Sequence, residues 1–283
     1  MNVKVKEKLA KAGLGASAFI SVIILLVVAG YLTLNGVQLI TLDFLLGFPQ
    51  GRLGEGGIFP QLIGSLCLTG VCLLFAVPLG VGSGVYLSEY APDNLVTRTV
   101  RFFVECLAGI PSIVIGIFGF IVFIHYLPLQ PSLLAGGISL GFMILPWTVR
   151  TSEEAIKAVP QSYREASLAL GVSKWKTIRH LVLKSAYPGI LTGVLLGMGK
   201  AIGEAAVILF TAGSGLEWFL PTSLFDPVGS LPVYTYMVAT QGYTSDAINR
   251  AYAASFVLIL MFLIINVSAL AFRNRYIKRM SGH

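Results

Sequence analysis

Apolar residues fall in long blocks along this chain, and polar residues collect in the gaps between them. Six runs stand out, at about 14–34, 62–87, 101–124, 133–150, 188–212 and 250–272. A helix needs about 20 mostly apolar residues to cross the hydrocarbon core of a bilayer, where it must satisfy its own backbone. The pattern therefore predicts an all-α polytopic membrane protein with six transmembrane helices. Pro78, Pro111 and Pro146 lie inside or near the ends of these runs and predict kinks. Neighbouring helices can re-satisfy the carbonyls that the prolines free. The first run follows a basic N-terminus and could be read as a signal peptide broken after Gly30. It is longer than the usual apolar region of about 7–15 residues, which favours an uncleaved helix.

The gaps are unequal. Residues 35–61 are rich in glycine, and residues 213–249 carry prolines and aromatics that suggest a lid or an interfacial segment. The most informative gap is 151–187, "TSEEAIKAVPQSYREASLALGVSKWKTIRHLVLKSAY". Thr151 with Glu154, and Ser162 with Glu165, each have the spacing of a capping box, with Pro160 between them. Gly171 stands where a helix would end in a left-handed residue, and Ser173 can cap the next helix. The expectation is a bent helix–Gly–helix element. Its alanines, Ala166 and Ala169, would let another backbone approach closely. From the residues alone it is either an amphipathic connector on the membrane surface or a docking knob for a partner.

Composition agrees with the pattern. Hydrophobic residues make up 55% and charged residues 12%, about half the charged share of a soluble domain. The net charge of +7 bears on topology first, and gives no reason to invoke nucleic acid. With both termini cytoplasmic, seventeen Lys and Arg fall on the cytoplasmic side, and only Arg52 and Arg250 on the outer side. Cys67, Cys72 and Cys106 sit in apolar runs without metal or disulfide spacing, and the histidines are scattered. No metal or cofactor site is expected. An embedded enzyme would want clustered His, Asp or Glu, or a nucleophile elbow, and neither is apparent. An ion-driven carrier would usually show inverted repeats, and these are not visible.

Two charges break the fifth run, Lys200 and Glu204 in "LLGMGKAIGEAAVILF". Counting from Pro188, Lys200 lies about 18 Å along a helix, near mid-membrane. Each charge there costs about 2.5–3.5 kcal/mol on insertion scales. Four residues apart, the two share a face and can neutralise each other. Alternatively the face lines a polar route, with Lys200 offering positive charge to an anion and Glu204 holding it when the route is empty. Ser112, beside the Pro111 kink, could bond loosened backbone or substrate. Arg101 and Glu105 form another pair at this spacing, and Arg150 ends the fourth run as a positive-inside anchor.

The stretch "REASLALGVSKWKTIRHLVL" resembles the Glu-Ala-Ala motif of ABC importer permeases. The matching positions are Glu165, Ala166, Ser167 and Gly171, followed by Leu181, Val182 and Leu183. The third is Ser where the motif has Ala, and Lys184 stands where a proline is often found. "VYLSEYAP", "LAGIPSIVIGIFGF", "PGILTGVLLGMGKAIGE" and "SLPVYTYM" extend the likeness over about residues 60–270, to the A-type permeases of phosphate-specific ABC importers. Those usually have arginine and then Thr-Ala-Pro where this chain reads Lys200 and then "AAV".

The resemblance implies the ABC type I importer permease (MetI-like) fold in a bacterial inner membrane, with a core at 61–272. Residues 1–60 would supply a tail, the first helix and an outer loop, and 273–283 a basic cytoplasmic tail. It implies a homologous second permease subunit, two ATPase subunits docked on the 151–187 element, and an extracytoplasmic phosphate-binding protein. The chain has no G-x-x-x-x-G-K-[ST] sequence of its own, so ATP chemistry is expected from the ATPases, and no residue here is expected to be catalytic. Permeation of another oxyanion, such as sulfate, molybdate, tungstate or phosphonate, is the alternative.

Overall fold

A computed structural model describes residues 3–50, 55–214, 217, 219–242 and 244–280. Arg52 therefore lies outside the described residues. Helices account for nearly all the structure, with one two-stranded antiparallel hairpin, β1 (Pro49–Gln50) and β2 (Glu55–Gly56). Five helical stretches are long and apolar enough to cross a membrane, or six if one bent pair counts as a span.

The first is α1 (Val3–Gly36), which leaves its apolar surface open along its length and leans on the last helix. A short α2 (Leu42–Leu46), capped by Thr41, leads to the hairpin. Helix α3 (Phe59–Val85) begins with Pro60, where a missing N–H costs nothing. It runs on through a π-wound turn, Tyr86–Tyr90. Its close partner is α6 (Leu133–Lys157). A Cβ at Gly80 would lie 2.6 Å from Thr148 Cγ2, and one at Gly84 2.7 Å from Ser152 Cβ. Small residues set the contact, as is usual where lipid gives helices no hydrophobic reason to associate.

The third apolar run is not one straight helix. It forms α4 (Leu95–Ala108) and α5 (Ser112–Gly119), bent by 100° at Gly109–Pro111. Asn94 caps α4 through Thr97 N, and Pro111 disfavours helical geometry in the residue before it. A π-wound stretch, Phe120–Tyr126, continues α5.

The fourth run continues past residue 150 to Lys157 within α6, so Thr151 does not start a helix. Its hydroxyl donates to Trp147 O at 2.8 Å instead. Helix α7 (Gln161–Ala169) starts straight after Pro160 without a side-chain cap. Both expected capping boxes are thus absent, because proline and the running helix already fix those boundaries. Next come α8 (Lys174–Thr177), a π turn at Ile178–Val182 and α9 (Leu183–Ile202), which form one continuous rod. Pro188 lies within this rod and does not begin it. The rod stops at Gly203, and a short α10 (Ala206–Thr211) resumes after the break.

The 213–249 segment is packed into the bundle over its second half. Val228, Leu231, Val233 and Tyr234 are buried, and α11 (Leu231–Gln241) packs on α12 (Ser245–Met280). The main core joins α3, α6 and α10 through Leu68, Cys72, Leu140, Met143, Ile144, Val207 and Ile208. A second cluster lies at the hairpin end, around Phe44, Ile58 and Tyr234, and a third at the α7 end, around Ile156, Val182 and Ala186.

Candidate functional site

The first candidate region is the break after α9. Glu204 is half-buried, and its Oε1 accepts from Ala206 N at 3.0 Å and from Val207 N at 3.4 Å. The carboxylate therefore caps α10, satisfying donors that a helix start leaves open. Among the described residues no carboxylate lies within ion-pair distance of Lys200, so the expected Lys200–Glu204 pair is not formed. The break at Gly203 interrupts the helical register that pairing at four residues requires. Lys200 instead places its Nζ over the Trp147 ring, 5.5 Å from the centroid, within the range of a cation–π contact.

Trp147 gives a measure of depth. It lies fourteen residues into α6 and ten from its end, about 21 Å and 15 Å along the helix. Lys200 thus sits at mid-bundle by the measure of α6, whereas the count from Pro188 does not hold, because its helix begins well before that residue. Both residues are open on the surface of the single chain.

Helix α5 lies against α10. A Cβ at Gly116 would meet Ala206 O at 3.0 Å and Val207 Cα at 3.1 Å, and one at Gly119 would meet Thr211 Cγ2 at 2.9 Å. The two short helices therefore run in the same direction. Ser112, one turn before Gly116, comes level with the Gly203–Ala205 break. Two broken helices and a lysine meet at one depth, the pattern by which membrane proteins build polar sites inside the bilayer.

The second region is the bent element at the α7 end. Gly171 has φ +77°. Gly171 N donates to Leu168 O at 2.9 Å and Val172 N to Ser167 O at 3.3 Å, the bonding of a Schellman motif. Ser167 Oγ and Thr177 Oγ1 are 2.8 Å apart, so the serine that replaces the motif's second alanine ties the two arms of the bend. Ser173 occupies the N-cap position of α8 without a side-chain bond. Glu165, Ala166 and Gly171 are exposed, and Leu168 and Leu170 are open beside them.

Charges at this end are shared differently from the sequence expectation. Arg101 pairs with Glu153 at 2.8 Å and not with Glu105, and Lys157 reaches the same Glu153 oxygen at 2.6 Å. Arg150 holds Glu105 and Glu154, each at 3.0 Å. The bend at Pro111 re-aims α4 across α6, and these partners follow from it. In the loop before α4, the Asp93 carboxyl is held below its usual range by a hydrogen bond from the Arg98 guanidinium in the first turn of α4 and by its charge. Glu89 and Arg164, which form a nearly buried pair at 2.7 Å, were not singled out by sequence. Their only signal was an acid closing an apolar run and an arginine directly before Glu165.

Residues 76–282 match the family model described as "Binding-protein-dependent transport system inner membrane component". The chain belongs to this family and is a multi-pass membrane permease of a transport system that works with a binding protein. It is 39% identical over 280 residues to the probable ABC transporter permease protein YqgI of Bacillus subtilis, covering 95% of each chain. It is also 39% identical to the phosphate transport system permease protein PstA of Mycobacterium leprae, over 80% of this chain and 74% of that one. Against PstA of Xylella fastidiosa, strain Temecula1, the identity is 32%, over 84% and 82%. Among solved structures it is similar in fold to a bacterial alginate ABC importer, with TM-score 0.66, 16% identity and coverage of 96% and 99%. An inward-facing methionine transporter, MetNI, matches with TM-score 0.63 and 20% identity, over 77% and 95%.

Proposed function

We propose that this chain is the permease subunit of an ATP-driven ABC importer that carries inorganic phosphate by alternating access. The observation that carries this reading is the extended similarity to the PstA permeases, at 32–39% identity over most of the chain. The single chain leaves Lys200, Trp147 and the apolar faces of α4 and α5 uncovered. A homologous second permease would cover them and close a pore. Both termini and the α7 end would face the cytoplasm, where two ATPase subunits would dock on Glu165, Ala166, Ser167 and Gly171. A phosphate-binding protein would deliver substrate at the hairpin end.

In this reading Lys200 is the transient anion site. An ammonium gives a point charge without the planar fork of arginine, which suits brief binding of an ion that must move on. Ser112 would offer a hydroxyl at the same level. Glu204 would keep the broken helix in shape and would not touch the anion. The test is uptake of labelled phosphate into proteoliposomes holding the complete transporter and its binding protein, with labelled sulfate in parallel. Phosphate uptake that needs both ATP and the binding protein supports the reading. Uptake of sulfate with no uptake of phosphate overturns it.

A further inference from the structure

Helix α7 has no buried residue. Apolar packing therefore does not fasten it to the membrane bundle, and its hold must come from polar bonds. Ser167 gives one bond, to Thr177 at the foot of the α8–α9 rod, and Arg164 gives the rest. Its Nε and Nη2 donate to Glu89 Oε1 at 3.0 and 2.7 Å. Nη2 also donates to Ile156 O at 2.9 Å, and Nη1 to Val159 O at 2.7 Å. Ile156 lies in the last turn of α6, Val159 just beyond it, and Glu89 in the π-wound turn that ends α3. One guanidinium thus joins α3, α6 and α7. Lys174 reaches Glu89 from the other arm of the bend, its Nζ 2.5 Å from Glu89 O and 4.6 Å above the Tyr90 ring.

The side chains of Arg164 and Glu89 are only 13% and 7% exposed. A nearly buried ion pair is a weak source of stability, since packed apolar groups often do as well in its place. Its particular contribution is geometric, because the forked donors accept a single arrangement of partners. Helical turns with π winding recur at functional sites, and one lies on each side of this joint, at Tyr86–Tyr90 and Ile178–Val182.

We propose that the Arg164–Glu89 pair is the joint through which movement of α7 reaches α3 and, along the α3–α6 contact, the level of Lys200. Arg164 and Glu89 are positioning residues that touch no substrate. The inference rests on α7 being the surface on which the ATPase acts. Glu89→Gln keeps the shape of Glu89 and removes its charge, while Arg164→Lys keeps the charge of Arg164 and removes the fork.

Each variant is purified in the assembled transporter and reconstituted with the binding protein. Two quantities are read: labelled phosphate moved per ATP hydrolysed, and maleimide labelling of Gly203→Cys in a Cys106→Ser background, with and without ATP and vanadate. Both variants are expected to assemble and to keep ATP hydrolysis within about twofold. They are expected to lose about tenfold in phosphate per ATP, a usual size for coupling between sites. The nucleotide-dependent change in labelling at residue 203 should shrink with it. Unchanged ratio and labelling at equal assembly would overturn the joint. So would loss of assembly in both variants, with transport and hydrolysis falling together, since that marks a merely structural pair. A wild-type transporter that hydrolyses ATP but moves no phosphate would count against the substrate alone, and the labelling change would then decide the joint.

Discussion

Two regions of the bundle treat charge in opposite ways. At the α7 end, Glu89, Arg101, Arg150, Glu153, Lys157 and Arg164 all have partners within the chain. At mid-bundle, Glu204 is spent on a helix start, and Lys200 has a tryptophan ring beneath it and, among the described residues, no carboxylate in reach. The difference teaches what each set is for. Mutually satisfied charges hold one arrangement of helices. Under the proposed function, an ammonium with no carboxylate beside it among the described residues leaves room for a visiting anion.

Reversal of charge at Lys200 should have the largest effect. A hydrogen bond to a charged group is worth about 1.5–3 kcal/mol. Lys200→Glu is therefore expected to lower uptake on the order of 100-fold at unchanged assembly, with Lys200→Arg near wild type, as measured by initial rates in proteoliposomes. Normal uptake by Lys200→Glu would erase the contrast between the two regions. Gly171→Ala comes next. It places a side chain at φ +77°, a left-handed conformation that costs about 1–2 kcal/mol outside glycine. A titration of ATPase onto the permease should show affinity reduced by roughly tenfold.

Glu204 separates a cap from a counter-ion. Glu204→Ala should lower thermal stability by about 1 kcal/mol, a usual cost for losing a cap. Glu204→Gln keeps an acceptor and should stay close to wild type in stability and uptake. If glutamine behaves as badly as alanine, the carboxylate's charge matters and the pairing with Lys200 returns. The smallest effect concerns Asp226 in the loop before α11. The Thr222 hydroxyl, with the Thr222 and Ser223 amides, holds its carboxyl below the usual range. A depressed carboxyl stabilises the loop above its ordinary range and loses that contribution as pH falls through the folded value. Protection of the 222–226 amides, taken relative to their intrinsic exchange rates, should fall in acid, and Asp226→Asn should remove that dependence.

Much of this was legible in the chain. Six apolar runs gave the spans, and Gly171 gave the bend, because a left-handed helix end has a local chemical signature. The start of the helix that carries Lys200 was not legible, since Pro188 lies within the rod and does not open it. The bend at Pro111 was announced by the proline itself, but the break at Gly203 was not. Composition sets how much apolar length is present, but whether it stays straight depends on neighbours such as Ala206 lying against Gly116. The capping boxes at Thr151 and Ser162 failed because a running helix or a proline had already set the boundary. The Arg164–Glu89 pair spans 75 positions, and no local pattern announces a partner so far away.

One consequence follows from the unbroken course of α6. Past Pro146 this helix carries Trp147 beneath the lysine and, six residues on, Glu153 among the arginines. That is about 9 Å of rod with no proline or glycine in between. Under the proposed function, selectivity and energy supply are therefore not separable modules in this subunit. A substitution that re-tilts Trp147 to suit a different ion would also shift Glu153, so evolution toward a new cargo would have to retune the motor end in the same lineage.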